Sequence, residues 1–217
     1  MNERYSGLVN NFNTYAYHFL GCGAIGSAAA VTMAKMGANI IHLYDMDIVE
    51  SPNIGVSIYD RNDLNKQKVI ALRDRLLAIN PRIDVVTHHG EFQNIYEEHN
   101  NIVILGFDSM KSRLDAVTNI LQTVSPDILI DGRMGAEHYQ QYTFKKPTLT
   151  KYKATWYDDD TADDEPCNAK ATSYCSSMSG SFICNSVKQI LKNEPYLEDI
   201  TFNFQHMSLD SNDGFVG

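Results

Sequence analysis

The stretch TYAYHFLGCGAIGSAAAVTMAKMG, residues 14–37, decides the fold of this 217-residue chain. The apolar run at 14–20 predicts a buried strand, and the run of small residues that ends at Gly37 predicts a helix. Glycines at 21, 23 and 26 lie between the two, in the G-x-G-x-x-G order typical of a nucleotide-binding βαβ unit. The glycines alone leave the ligand open between a nicotinamide dinucleotide and ATP.

The residues of this turn have separate physical roles. Gly21 permits the tight turn, Gly23 lets a phosphate approach the backbone, and Gly26 lets the helix pack closely on the strand. Ala24 and Ile25 open the helix, whose first N–H groups are free to attract an anion. We therefore expect all five residues to contact the bound nucleotide.

Apolar runs alternate with amphipathic stretches up to Asp131 and predict the order β-α-β-α-β-β-α-β, including a long helix from about Asp63 to Ile79. This order indicates an α/β fold with a Rossmann-like, doubly wound, mostly parallel sheet. Beyond it, YQQYTFK and TKYKATWY predict added antiparallel strands. A helix over 176–193, a last strand ITFNFQHM and a frayed tail complete the prediction. We expect residues 1–217 to form a single domain.

Bulk composition limits the classes of function. The net charge of −9 argues against a nucleic-acid partner held through its phosphates. No apolar run is long enough to span a membrane, and the amino terminus lacks the layout of a signal peptide. Four cysteines without a C-x-x-C pair indicate reduced thiols in a cytoplasmic protein and exclude a four-cysteine zinc site.

The acidic charge is concentrated in DDDTADDE at 158–165, which holds six acids and no base. We expect a solvated, flexible loop whose charges repel one another. The alternative is a flap over the active site or a contact for a basic partner.

The segment after the second strand narrows the choice of ligand. Asp45 ends that strand nineteen residues after Gly26, where a carboxylate holds ribose hydroxyls and repels the 2′-phosphate of NADP. DMDIVESPN begins at Asp45, and KV and INP follow at 68–69 and 79–81. Together with GCGAIG, ILGFDSMKSR and ERYSG, this order resembles the ThiF/MoeB/HesA family, the bacterial relatives of ubiquitin-activating enzymes.

The resemblance implies an ATP- and Mg²⁺-dependent adenylyltransferase, homodimeric like its relatives. The implied substrate is the carboxyl-terminal glycine of a ubiquitin-like or sulfur-carrier protein, with a small carboxylate or peptide as the other acceptor. Asp45 matches the family's ribose-binding aspartate, and Asp47 joins it in the nucleotide site. Asn53 matches a polar contact on the phosphate side, Lys68 the phosphate-binding lysine, and Asp108 the Mg²⁺ ligand.

The predicted topology supports a metal independently. Asp45, Asp108 and Asp131 follow predicted strands, so we expect three carboxylates at the carboxyl edge of the sheet. Beside a phosphate they would repel without a cation between them. The alternative for Asp108 is a helix N-cap, and the alternative for Lys68 is a solvated surface lysine, with Lys66 as its rival.

Two arginines of the family pattern are missing. The second arginine of R-Y-x-R is Gly7 here, and the arginine and glutamine of N-L-x-R-Q are Val56 and Ser57. Such cations neutralise charge on transferring phosphates. Arg133, directly after the last parallel strand, is our candidate replacement. Weaker candidates are Arg4, Arg61 and Lys111.

Other functions therefore stay open. Without a replacement cation, the chain is a nucleotide-binding pseudo-enzyme or the non-catalytic subunit of a heterodimer. An NAD-dependent oxidoreductase is the third alternative. Cys167 follows the acidic run, where relatives carry a crossover loop or a catalytic cysteine, so a thiol nucleophile is considered for it. The neighbouring acids would raise its pKa, which favours a plain thiol.

Overall fold

The computed structural model describes residues 8, 11–96, 100–158, 171–211 and 214–216. Its α-helices are α1 Ala24–Lys35, α2 Ser51–Ile54, α3 Lys68–Ile79, α4 Met110–Thr123, α5 Leu149–Thr155 and α6 Ser173–Leu191. Its strands are β1 Ala16–Leu20, β2 Ile40–Asp45, β3 Asp84–His89, β4 Asn101–Leu105, β5 Ile128–Gly135, β6 His138–Lys145, β7 Tyr196–Leu197, β8 Asp199–Asn203, β9 Ser208–Asp210 and β10 Phe215–Val216.

The main sheet has the strand order β3-β2-β1-β4-β5-β6-β8-β9. The first five strands of this order pair in parallel, and β6, β8 and β9 are added antiparallel. β7 and β10 form a separate antiparallel pair. The predicted doubly wound, mostly parallel sheet with antiparallel additions is therefore confirmed.

Alternate residues of β1 enter two different cores. Tyr17 and Phe19 pack in the core that contains α1, α3 and α6. Leu20 packs in the core that contains α4 and Tyr152 of α5. Because both faces of the sheet are covered, the central strands are almost continuously apolar in sequence. Within the described part of the chain, no helix is long and apolar enough to cross a bilayer.

Helix α6 packs closely on α1 through small side chains. A Cβ added at Gly180 would lie 2.7 Å from the Ala28 carbonyl oxygen and 2.9 Å from Thr32 Oγ1. Ser176 and Ser179 are also buried in this helix. The serines and the glycine therefore let α6 lie against α1 at a distance that larger side chains would not allow.

The helix predicted from about Asp63 begins later, at Lys68. Asn65 adopts the left-handed region with φ of 65°, which an α-helix cannot contain. Gln67 then pairs in an isolated antiparallel bridge before the helix starts. Leu64, inside the predicted helix, lies before the observed one and is 36% exposed.

The strand predicted for TKYKATWY is wrong, because this segment forms helix α5. Thr148 caps the helix by accepting the Lys151 N–H at 3.3 Å. Leu149, Tyr152 and Trp156 are spaced by three and four residues and pack against one core. That spacing is helical, and it outweighs the strand preference of threonine and aromatic residues.

The carboxyl-terminal prediction needs two corrections. The strand predicted for ITFNFQHM is shorter than expected, because β8 ends at Asn203. Phe204 lies in the turn that follows β8, and its N–H donates to the Glu137 carbonyl. The tail expected to be frayed contains β9, which pairs with β8, and β10, which pairs with β7.

We expect Gly180→Ala to destabilise the protein by about 1–2 kcal/mol. Alanine gains up to about 1 kcal/mol of helix propensity, but overpacking against the Ala28 carbonyl costs about 1–3 kcal/mol. The measurement is the free energy of unfolding in urea. Gly55→Ala is the control, since a Cβ at Gly55 would meet no described atom within 4 Å. Equal stabilities for the two variants would contradict the close packing of α6 on α1.

Candidate functional site

The glycine turn joins β1 to α1 at the carboxyl edge of the sheet. Gly21 has φ of 97°, and a Cβ there would lie 2.7 Å from the carbonyl carbon of Gly106. A Cβ at Gly26 would lie 1.9 Å from the Gly21 carbonyl oxygen. Both positions therefore require glycine, as the sequence predicted for a tight turn and a closely packed helix.

The middle of the turn is open rather than crowded. A Cβ at Gly23 would meet no described atom within 4 Å. Gly23 is the N-cap of α1, and among the described residues no side chain caps this helix. Ala24 and Ile25 follow as its first residues, so their N–H groups lie in the uncapped first turn. This geometry suits an anion at the helix N-terminus.

Asp45 links the glycine turn to the end of β2. Its Oδ2 accepts the Cys22 N–H at 2.7 Å, and its Oδ1 accepts the Asp47 N–H at 2.8 Å. Burial raises the pKa of this carboxyl, and the attraction of Lys68 opposes that rise. A carboxylate oxygen has more than one lone pair, so both oxygens can still accept a ribose hydroxyl.

Lys68 is the first residue of α3, and its side chain is only 10% exposed. Its Nζ lies 2.7 Å from Asp47 Oδ2. Burial lowers the pKa of Lys68, but the attraction of Asp45 and the bond to Asp47 outweigh that effect and raise it overall. Lys66, in contrast, is 45% exposed and pairs with Asp63 at 3.5 Å. Lys68 is therefore the lysine beside the predicted ribose aspartate.

Asn53 lies in the short helix α2 and caps its own turn. Its Oδ1 accepts the Glu50 N–H at 2.9 Å. Ser57 Oγ donates to the Asn53 carbonyl at 2.6 Å. Val56 and Ser57, where the family pattern has arginine and glutamine, thus lie on the turn that follows Asn53. The amide of Asn53 remains a predicted contact on the phosphate side.

Asp108 lies exposed in the loop between β4 and α4. It does not cap α4, because Ser109 Oγ is the group that accepts the Ser112 N–H, at 3.2 Å. The capping alternative for Asp108 is therefore wrong. The described residues hold no cluster of three or more His, Cys, Asp or Glu side chains suited to a metal. A single exposed carboxylate suits Mg²⁺, which keeps waters and binds substrate phosphates.

We expected Asp131 to be one of three unpaired carboxylates at the edge of the sheet, and this expectation is wrong. Asp131 lies within β5, fully buried, and forms ion pairs with Arg113 and Arg133. It also accepts a hydrogen bond from the Tyr152 hydroxyl at 3.1 Å. Two guanidinium groups already neutralise this charge, so Asp131 gives no support to a magnesium ion.

Arg133 is held in the same network. Its Nε and Nη2 donate to Asp131, and its Nη1 donates to the Thr155 carbonyl at 2.8 Å. The guanidinium stacks over Tyr142 and Tyr157, at 4.5 and 5.0 Å from the ring centroids. These contacts favour a structural role, and the phosphate role of Arg133 remains a prediction that requires their release. Of the weaker candidates, Arg61 and Lys111 are exposed, and Arg4 lies outside the described residues.

Three residues near the site were missed from the sequence. Tyr59 contacts the glycine turn through its hydroxyl. Gly106 packs against Gly21, and a glycine directly after an apolar strand was a usable signal for such an approach. Arg113 donates to the Phe107 carbonyl and so ties the loop that carries Asp108 to Asp131.

The cysteines of the described residues are buried. Burial raises the pKa of Cys22 well above its usual value, that of Cys175 to about 11 and that of Cys184 to about 12. All three are free thiols that burial keeps protonated. Cys167, Gly7 and residues 159–165 of the acidic run lie outside the described residues.

The doubly wound sheet with its glycine turn places the protein among the Rossmann-like α/β folds. Residues 9–213 match the ThiF family, and the chain belongs to that family. The resemblance found in the sequence is thereby confirmed.

Two curated relatives match over part of the chain. Ubiquitin-like modifier-activating enzyme 5 of Dictyostelium discoideum is 28% identical over 112 residues, which are 50% of this chain and 27% of that protein. A probable molybdopterin-synthase adenylyltransferase of Porphyra purpurea is 30% identical over 99 residues, or 43% of this chain and 26% of that protein. The matched part of the chain thus spans about a quarter of the length of each.

A solved structure has the same fold. The crystal structure of E. coli MccB with ATP superposes with a TM-score of 0.72 at 15% sequence identity. The match covers 100% of this chain and 73% of that chain. At this identity the likeness shows the fold alone.

We expect Asp131→Asn to destabilise the protein by about 3–5 kcal/mol, because two buried guanidinium groups lose their counter-charge. The Arg113 guanidinium has little other compensation, since the Nε of Arg113 is buried without a partner among the described residues. The measurement is chemical unfolding monitored by circular dichroism. Asp115→Asn, which breaks the exposed Lys111–Asp115 pair, is the control and should cost less than about 1 kcal/mol. A loss of the same size in both variants would contradict the assigned role of Asp131.

Proposed function

We propose that this chain is an ATP- and Mg²⁺-dependent adenylyltransferase that activates a carboxylate. The observation that carries the proposal is the Lys68–Asp47 ion pair beside Asp45, which itself bonds the Cys22 N–H directly before the α1 N-terminus, in a chain of the ThiF family. This arrangement supplies a ribose acceptor, a lysine cation and backbone donors at one edge of the sheet.

Each group has one role toward ATP. Asp45 accepts the ribose hydroxyls while its existing bonds to the Cys22 and Asp47 N–H groups hold it in place. The first turn of α1 receives the phosphates. Lys68 exchanges or shares its bond with Asp47 to reach a phosphate oxygen. Asn53 adds a polar contact on the same side.

Asp108 would hold the magnesium ion. Its carboxylate is exposed and follows β4 at the ligand-binding edge of the sheet, as a hard oxygen ligand for Mg²⁺ should. When bound, the ion neutralises charge on the phosphates.

The proposed reaction is acyl adenylation. An oxygen of the acceptor carboxylate attacks the α-phosphorus of ATP, the bond from that phosphorus to the bridging oxygen breaks, and pyrophosphate leaves. The carboxylate enters as an anion, so the step needs no general base. Lys68 and the α1 N–H groups stabilise the negative charge that moves onto the leaving pyrophosphate.

The acceptor we propose is the carboxyl-terminal glycine of a ubiquitin-like or sulfur-carrier protein. The support is the names of two relatives: one is a ubiquitin-like modifier-activating enzyme, and another is a probable molybdopterin-synthase adenylyltransferase. We further propose that residues 1–217 form a single domain and that the protein is homodimeric and cytoplasmic. The free buried thiols support a reducing compartment.

A non-catalytic nucleotide-binding subunit is the second candidate function. The observation that favours it is the apolar side chain of Val56 at a position where the family pattern has arginine. Arg133 could replace that arginine only by leaving Asp131 and the Thr155 carbonyl.

We expect Lys68→Met to lower ATP–pyrophosphate exchange by about 100-fold or more, because a cation that stabilises the leaving group is lost. The assay uses labelled pyrophosphate and a panel of ubiquitin-like and sulfur-carrier proteins that end in glycine. Lys66→Met is the matched control, since Lys66 is an exposed lysine only two residues away, and it should stay within about twofold of wild type. Equal losses in the two variants would contradict the role of Lys68.

Asp108→Ala tests the metal site in the same assay. We expect exchange to fall steeply at low Mg²⁺ and to recover in part at high Mg²⁺. ATP binding without exchange across the whole panel would favour the non-catalytic subunit. Tight NAD binding without ATP binding would contradict both proposals.

A further inference from the structure

Tyr59 is a buried residue to which neither the motifs nor the proposed chemistry assigns a role. It follows α2 and is 3% exposed. Its hydroxyl donates to the Cys22 carbonyl oxygen at 2.6 Å and lies 3.3 Å from the Lys68 carbonyl oxygen. One phenol therefore contacts both the glycine turn and the first residue of α3.

The contact fixes the orientation of one peptide group. The Cys22 N–H is held by Asp45 at 2.7 Å, and the Cys22 carbonyl is held by Tyr59. Because a trans peptide is planar, the Gly23 N–H points opposite to the Cys22 carbonyl. It therefore points away from Tyr59.

Gly23 is also the open position of the turn. A Cβ there would meet no described atom within 4 Å, and the residue is the N-cap of the uncapped helix α1. An N–H directed away from the buried phenol at this open place is a donor for an anionic oxygen.

The phenol of Tyr59 remains a donor across the physiological pH range. Burial raises its pKa well above the usual value, and the nearby Cys22 and Asp45 raise it further. The hydrogen bond to Cys22 therefore does not depend on pH under ordinary assay conditions.

We propose that Tyr59 is a positioning residue for the nucleotide phosphates: it holds the Cys22–Gly23 peptide so that the Gly23 N–H donates to a phosphate oxygen. The inference rests on the proposed binding of ATP. Tyr59 acts through the backbone of the turn, without contacting the ligand.

The test compares Tyr59→Phe with Tyr17→Phe by isothermal titration calorimetry. Tyr17 is a matched control, because its buried hydroxyl also donates to a backbone carbonyl, that of Phe12 at 3.0 Å. Each variant is titrated with a non-hydrolysable ATP analogue and with adenosine. Adenosine has the same ribose and base but no phosphate, so it reports effects that are not specific to phosphate binding.

We expect Tyr59→Phe to weaken binding of the ATP analogue about tenfold, with adenosine affinity unchanged. Tyr17→Phe should leave both affinities unchanged. Replacement of Tyr59 by 4-aminophenylalanine, which restores a donor at the ring, should recover most of the loss. Unchanged ATP affinity in Tyr59→Phe would overturn the positioning role, as would an equal loss for ATP and adenosine.

Two other results of this experiment also test the proposal. If the wild-type protein binds neither ATP nor adenosine, the proposed function is wrong, and the positioning role of Tyr59 is overturned with it. If Tyr59→Phe does not fold, glycine-labelled wild type is examined by NMR. The Gly23 amide resonance should shift with the ATP analogue and not with adenosine, and a resonance that does not shift would overturn the inference.

Discussion

The site depends on the close approach of three backbone segments at glycine residues, where no side chain separates them. Gly21, Gly26 and Gly106 meet where β1, α1 and β4 converge, and a Cβ at Gly26 would lie 1.9 Å from the Gly21 carbonyl oxygen. This contact brings the N-terminus of α1 to the carboxyl edge of the sheet, beside Asp45. One steric constraint thus determines both how α1 packs and where an anion can bind.

A second constraint is electrostatic and is centred on Asp131 in β5. Asp131 is fully buried, and its two arginine partners reach different elements. Arg113 connects it to the loop before α4, and Arg133 connects it to the end of α5. A buried carboxylate with this much compensation does not serve as a metal ligand. Through Arg113 it instead links the loop that carries Asp108 to the sheet.

The sequence predicts those features of the fold and the site that depend on residues close together in the chain. The glycine turn, Asp45 and the parallel strands follow from spacing and apolar periodicity, and the structure has all of them. The contact of Tyr59 with Cys22 joins residues 37 apart, and no motif encodes it. The ion pairs of Asp131 were missed because a strand pattern does not show which charges meet inside a core. Helix α5 was mistaken for a strand because its aromatic residues suggested one, whereas the Thr148 cap favours a helix.

The charge balance of the site bears on how the chemistry could proceed. The proposed site comprises the carboxylates of Asp45, Asp47 and Asp108 and the cation Lys68, which pairs with Asp47. Adding a nucleotide triphosphate brings several more negative charges to the same edge. The α1 N-terminus supplies only about half a positive charge. The proposed binding of ATP therefore calls for a further cation, and we propose either a metal ion at Asp108 or a basic group from a partner. Because Val56 stands where the family pattern has arginine, the proposed adenylation depends on that cation more than the pattern implies.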